Sequence, residues 1–280
     1  KLKEEFNTQR KVEDYFNRND TENTTIKIGL FNLISNVILL EEEGSGKQQF
    51  HFRISMADTE SYKNLDNNTQ TKLYELYINY FYYKQDDFWK KEAMQKLPSL
   101  KRSTNMLVCG EDLGMVPHCV PEVMEQLSIL TLEIQRMPKK TGIEFFHPNE
   151  APYLSVLSPS THDMSTLRSW WMEDKAKTQR FYNNILGKNG DAPYFCEAWI
   201  SKEIIQQHLQ SPAMWSIFLL QDMLGINENI RRENPDDERI NIPANSNHYW
   251  QYRMHISLED LLKQKMFTTE IKDLVSASGR

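Results

Sequence analysis

Beyond Lys101 the chain keeps one rhythm: a short apolar run, a loop, then a helical pattern. Residues 105–109 form the first run. The loop Gly110-Glu111-Asp112-Leu113-Gly114 follows, and a helix is predicted to start near Pro121, where proline suits the first turn. Residues 129–134 are the second run and 153–157 the third. The third leads through the loop 158–163 into a helix from about Ser165, marked by Leu167, Trp170, Trp171, Phe181, Tyr182 and Ile185 and closed by Gly187. Residues 213–220 are a fourth run, strand or helix on pattern alone. Strands alternating with helices predict parallel β/α units. A closed barrel of eight such units takes about 250 residues. Four units are readable here, all after residue 101, and the residues before it do not supply four more. The expected fold is therefore α/β: part of a TIM-type (β/α)8 barrel, with the rest outside this sequence.

The first hundred residues read differently. Residues 1–25 are polar, with mixed charge, and predict a helix followed by a loop. Residues 26–40 are mostly apolar, with Ile26, Ile28, Ile34, Val37 and Ile38 β-branched. A turn over 41–46 and a returning strand over 49–54 then predict a hairpin. From 71 to 97 the period is helical, with Leu73, Leu76, Tyr77, Tyr80 and Phe81 on one face. Phe88 and Trp89 continue the pattern, and Pro98 is expected to end it. The aromatic stripe reads as core packing; the alternative is that Trp89 stacks on a sugar. Ser257 to Asp260 has the form of a capping box opening the last helices.

Charge and composition narrow the partners. Thirty-three basic against 39 acidic residues give a net charge of −6, which does not favour a nucleic-acid partner. With 39% hydrophobic residues a packed core is available. No apolar run approaches the ~20 residues of a membrane span, and the start, Lys1-Leu2-Lys3-Glu4-Glu5, has no apolar signal segment. The chain lacks a starting Met and is read as processed or as a piece of something longer. Cys109, Cys119 and Cys196 have no C-x-x-C spacing, so neither a disulfide framework nor a zinc knuckle is expected, and a reducing cytoplasm is the simplest location. The Asn-x-Thr triplets at Asn23 and Asn67 read as chance. Gly44-Ser45-Gly46-Lys47 lacks the upstream glycine and the hydroxyl residue of a phosphate loop, and reads as a solvated turn. His118 and Cys119 read as structural. No metal motif, nucleophile elbow or dinucleotide fingerprint is present, so no cofactor or metal is expected.

Active groups of such barrels sit at the C-terminal ends of strands. Glu111 and Asp163 hold that position. Two carboxylates converging on one pocket suit acid/base work on a glycosidic bond. Any barrel has acidic loop residues, however, and Glu111 could equally form a structural ion pair with Arg136.

At these loops the sequence resembles a known family. Cys109-Gly110-Glu111-Asp112-Leu113-Gly114-Met115-Val116-Pro117 resembles the E-D-L-G motif of the 4-α-glucanotransferases, or amylomaltases. Ser160-Thr161-His162-Asp163 resembles their T-H-D motif. Gln221 to Gly225, Arg239 to Pro243 and Trp250-Gln251-Tyr252-Arg253 follow in the family's order. The stretches 81–98 and 132–138 resemble the subtype of Bacteroides-like bacteria and the plant cytosol. The resemblance covers essentially the whole chain. It implies a retaining α-glucan transferase on an eight-stranded barrel, passing glucosyl units from maltose or maltodextrin to a glycan acceptor. Carried over by motif, Glu111 is the general acid/base and Asp163 holds the hydroxyls of the distorted sugar. His162 donates to the same sugar, Asp112 and Asn241 are secondary contacts, and Gln135 and Arg239 are weaker ones. The family nucleophile, an Asp in an R-x-D-H motif, has no counterpart here: Arg53-Ile54-Ser55-Met56 has no Asp. The resemblance thus implies a C-terminal part, with 1–100 an insertion after the nucleophile strand and 101–280 the C-terminal half-barrel. The remainder of the barrel is then a necessary partner, and the piece alone is expected to be inactive. The alternative from another class is a non-catalytic glucan-binding relative that lost its nucleophile.

Overall fold

The computed structural model describes residues 2–18, 23–114, 116–140, 142–245, 247–248, 250 and 252–280. Met115 and Gln251 of the quoted motifs lie outside them, as does most of the loop predicted after the first helix. The chain divides into two compact units, Lys1–Trp89 and Lys90–Arg280.

In the first unit α1 (Gln9–Arg18) buries Val12 and Phe16, four residues apart on one face. Residues 26–35 are not a strand: they lie in α2 (Thr24–Ser35), which Asn23 caps by accepting from the Ile26 amide. A short apolar run does not separate helix from strand, and here the cap and the Lys27–Glu13 bond to α1, 2.6 Å, go with the helix. The hairpin does form, shorter than its apolar run suggested: β1 (Leu39–Glu41) pairs antiparallel with β2 (Phe50–Phe52), Leu39 opposite Phe52. The Gly44–Lys47 stretch is its connecting turn. After α3 (Glu60–Lys63) comes α4 (Asn67–Asn79), a π-helical turn over Tyr80–Lys84, and α5 (Gln85–Arg102). Pro98 does not end α5, which runs one more turn to Arg102 and is tethered there by Lys101 donating to the Leu127 carbonyl. The aromatic stripe is not a core. Phe88 and Trp89 are 55% and 51% exposed. Leu73, Tyr77, Tyr80 and Phe81 are half-covered, with Tyr77 donating to the Ile54 carbonyl at 2.8 Å and Tyr80 against Phe52.

The second unit holds a parallel sheet in the order β3 (Thr131–Ile134), β4 (Ser155–Ser158), β5 (Trp215–Ser216). The run 105–109 contributes a single parallel bridge, Cys109 to Leu130, beside β3. The helix α6 (Cys119–Gln126) has Pro121 in its first turn. The helix predicted from Ser165 is two, α7 (Leu167–Glu173) and α8 (Lys175–Asn184). Asp174 breaks it by capping α8, accepting from the Lys177 amide at 3.0 Å. Trp170 and Trp171 pack with Phe145, Phe181, Ile200 and Ile204. The helix α9 (Ala198–Leu209) is buried on two faces: Ile200 and Ile204 join that cluster, while Ile205 and Leu209 join Leu224, Ile226 and Phe267. The short α10 (Leu220–Leu224) precedes a long loop. Ser257 caps α11 (Leu258–Lys263) through the Asp260 amide, and α12 (Lys265–Ala277) follows. Among the described residues no helix is long and apolar enough to cross a membrane.

One core group is set against acid. His208 on α9 is fully buried, its Nδ1 2.8 Å from the Ile204 carbonyl. Burial pulls its pKa from 6.5 down to about 4, against that hydrogen bond. The unfolded chain therefore binds the proton first as pH falls. Stability contributed by neutral His208 is whole above about pH 6.5 and is lost on the way to pH 4, by about 3 kcal/mol in the limit. Urea midpoints measured against pH are expected to fall less steeply in this window for His208→Leu than for wild type.

Candidate active site

The loop after β4 is held from behind. Arg136, just past the end of β3, donates to the Pro159 carbonyl at 3.0 Å, Ser160 Oγ at 2.7 Å and the Ser165 carbonyl at 2.8 Å. Its guanidinium lies 4.9 Å from the Trp170 ring. Burial lowers its pKa to about 10, with Asp222 and Glu173 opposing, so it stays charged at neutral pH. At the far end of the loop Thr166 caps α7, and Asp222 Oδ1 accepts from the Leu167 amide at 2.8 Å. Burial raises the pKa of Asp222. Thr166 Oγ1 donates to Glu238, which is ion-paired with buried Arg168. The loop is thus fixed at both ends, and its middle, His162 and Asp163, projects with side chains 51% and 45% exposed.

Residues far apart in sequence meet at that projection. His162 Nε2 lies 3.2 Å from Asp163 Oδ2. Asn241 Nδ2 donates to Asp163 Oδ1 at 2.7 Å. Trp250 lies against the His162 ring, centroids 5.0 Å apart. His248 Nε2, 3.0 Å from the Ile240 carbonyl, braces the segment that carries Asn241. Arg239 reaches the same loop indirectly: its Nη1 is 3.7 Å from Glu173, which accepts from the Ser165 hydroxyl.

The Glu111 loop is built by a substitution in the parallel ladder. The Leu130 amide donates to Val108 at 3.0 Å, and the Gly110 amide donates to Leu130 at 2.8 Å. The next amide, Leu132, donates to the Asp112 side chain at 2.9 Å instead of to a backbone carbonyl. The main chain therefore leaves the sheet at Gly110, where a Cβ would sit 2.8 Å from Met124 Cε. Gly114, with φ +77°, turns it back. Asp112 is buried, and Lys139 bridges it to Glu133 at 2.7 and 2.9 Å. Glu111 is left exposed, and among the described residues no ion pair reaches it. The Glu111–Arg136 pair considered from sequence does not form, because Arg136 spends its donors on the neighbouring loop.

Parallel pairing puts these loops at one end of one sheet. The Glu111 loop leaves the position beside β3, Gln135 follows β3, and Asp163 follows β4. Two strand spacings, about 10 Å, separate the strand positions from which the Glu111 and Asp163 loops depart. Gln135 lies between them, buried, its amide 3.2 Å from Gln207. Of the residues singled out in the sequence, Asp163, His162 and Asn241 are in direct contact. Trp250 and Arg136 were not assigned to the site from sequence; both lie in quoted motifs, but their contacts are tertiary. Among the described residues no group of three or more His, Cys, Asp or Glu gathers as a metal site.

A family model described as 4-alpha-glucanotransferase matches residues 30–259. The chain belongs to the 4-alpha-glucanotransferase family. Within the family it is 39% identical over 287 residues to 4-alpha-glucanotransferase DPE2 of Oryza sativa subsp. japonica, covering all of this chain and 30% of that protein. It is 34% identical to the 4-alpha-glucanotransferase of Chlamydia caviae over 64% of this chain and 34% of that one. An amylomaltase from Streptococcus agalactiae, solved in complex with acarbose, superposes with a TM-score of 0.52 at 17% identity, over 67% of this chain and 35% of that one. At that identity the match speaks for fold alone. The chain spans about a third of the length of these relatives.

Proposed function

We propose that this chain is the C-terminal part of a retaining 4-α-glucanotransferase and carries its acid/base and its ring-binding carboxylate. The observation behind this reading is the convergence of Asp163, His162, Asn241 and Trp250 at the sheet end that also bears Glu111. In the proposed reaction a carboxylate from outside this chain attacks the anomeric carbon of an α-1,4-glucan. Glu111 gives its proton to the departing glycosidic oxygen. A glucosyl ester remains. Glu111, now a carboxylate, takes the proton of an acceptor hydroxyl as that oxygen displaces the ester. Asp163 accepts from ring hydroxyls, bonds that shorten as the ring flattens toward an oxocarbenium ion. Asn241 occupies one side of Asp163 Oδ1 and so orients it. His162 donates to the same sugar, with Trp250 beside it as an apolar face. Asp112, Gln135 and Arg239 act as supports or outer contacts.

The fold reading goes with it. Residues 1–100 are the insertion and 101–280 the C-terminal half of a (β/α)8 barrel. In support, large apolar side chains are exposed near both edges of the parallel sheet, Met106 and Leu107 at one and Trp215 and Ile217 at the other. Further strands would cover them. The reaction fits the cytoplasm, with maltose or maltodextrin as donor, a glycan as acceptor, and neither nucleic acid nor membrane as partner. The absence of an R-x-D-H motif from this sequence is what favours the other reading, a glucan binder without a nucleophile.

Product chromatography separates these readings. The intact protein given maltose is expected to release glucose and to build longer maltooligosaccharides. A hydrolase would give glucose alone, and a binder would leave maltose unchanged.

A further inference from the structure

Between α7, the segment leading into α9 and the turn at Pro235 lies a cleft of about 560 Å³, within the range of about 300–1,000 Å³ common to ligand clefts. It shares no lining residue with the cluster around Asp163. Two aromatic side chains on its lining, Tyr194 and Phe195, are 67% and 61% exposed. Their backbone is nevertheless pinned. Trp171 Nε1 donates to the Pro193 carbonyl at 2.9 Å, Lys175 to the Tyr194 carbonyl, and Arg231 Nη1 to the Cys196 carbonyl at 3.0 Å. Lys175 Nζ also sits 4.1 Å over the Tyr194 ring, and the two rings meet edge-on at 4.8 Å. Two adjacent exposed rings, nearly perpendicular to each other at 81°, on a segment fixed at three carbonyls offer preorganised apolar faces, one face of Tyr194 being taken by Lys175. Around it stand two guanidinium groups, Arg168 and Arg231, and two carboxylates, Glu197 and Glu233. Arg168 is already ion-paired with Glu238, and Lys175 stands over the Tyr194 ring. Counting both, three cationic groups face three carboxylates, so the cleft carries no net charge that would select an anion or a cation. Arg231 keeps further N–H donors, and among the described residues no ion pair engages the Glu233 carboxylate.

We infer that this cleft is a second saccharide site, taking a neutral polyhydroxylated chain with its ring faces on Tyr194 and Phe195 and its hydroxyls on Arg231 and Glu233. That the chain is an α-glucan rests on the transferase reading above. The site would hold a long glucan beside the reaction centre without taking part in bond making.

Native electrophoresis of the intact protein through glycogen-containing gels tests this. Wild type is expected to be retarded, with maltoheptaose relieving the retardation. The Tyr194→Ala/Phe195→Ala variant is expected to bind glycogen about tenfold more weakly, whereas Asp163→Asn stays retarded. Both aromatic side chains are exposed, so the thermal midpoint of the double variant should match wild type; Glu233→Gln gives an independent reading with the same expected direction. Unchanged retardation of the double variant overturns the inference. So does loss of retardation in Asp163→Asn, which would assign all glucan binding to the reaction cleft. Maltose disproportionation by the same wild-type preparation separates the two ideas. Transfer without retardation removes the second site alone, and absence of both removes the transferase reading as well.

Discussion

Glu111→Gln in the intact protein is expected to lower maltose disproportionation by about 10²–10⁴-fold, the usual contribution of a positioned proton donor and acceptor. The amide can neither protonate the glycosidic oxygen nor deprotonate the acceptor. The fold should be unaffected, because Glu111 is exposed and its loop is held by Asp112 and the glycines rather than by Glu111 itself. A donor with a leaving group that needs no proton, such as α-glucosyl fluoride, is expected to recover the first half-reaction in the variant and not the second. Burst release of fluoride followed by stalled turnover would show this. Normal turnover of maltose by the variant would remove Glu111 from the mechanism.

The second large effect is complete loss. The 280-residue chain by itself is expected to give no transfer above background, because a retaining displacement needs a nucleophilic carboxylate about 5 Å from the acid and this sequence has no counterpart of the family's motif for it. Co-expression with the rest of the polypeptide should restore turnover, measured as maltotriose formed from maltose. Transfer by the isolated chain would mean that a carboxylate within it, unidentified by motif, is the nucleophile.

The strands around the site were legible because their signal is local. Residues 129–134 and 153–157 are mostly apolar runs between turns, broken only by Thr131 and Glu133 in the first and Ser155 in the second, as suits strands buried in a parallel sheet. Both became strands within two residues of the expected positions. The run 105–109 has the same apolar character but forms only a bridge, since among the described residues no strand pairs with its outer side. Residues 26–35 were misread because an apolar stretch is silent on its period, and the deciding cap, Asn23, lies before it. The exposed aromatics of α4 and α5 were misread as core for a related reason: helical spacing shows that residues share a face, not that something covers it.

The site was legible only as motifs. The Thr-His-Asp and Glu-Asp-Leu-Gly stretches name their residues, but nothing local says that Asn241, 78 residues after Asp163, supplies the hydrogen bond that orients it. Nor does the sequence reveal that Arg136 forgoes Glu111 to clamp the backbone behind His162. The second follows from parallel strands delivering successive loops to one end of the sheet, the first from the long loop after α10 returning to that end.

The central claim is that the exposed carboxylates of the two loops work on one sugar. A crystal structure of the intact Glu111→Gln protein soaked with a maltooligosaccharide tests it most directly. A glycosidic oxygen is expected about 3 Å from the amide at position 111, with hydroxyls of the adjoining ring on Asp163 and His162. A sugar bound at Asp163 with position 111 turned away from the scissile bond would contradict it.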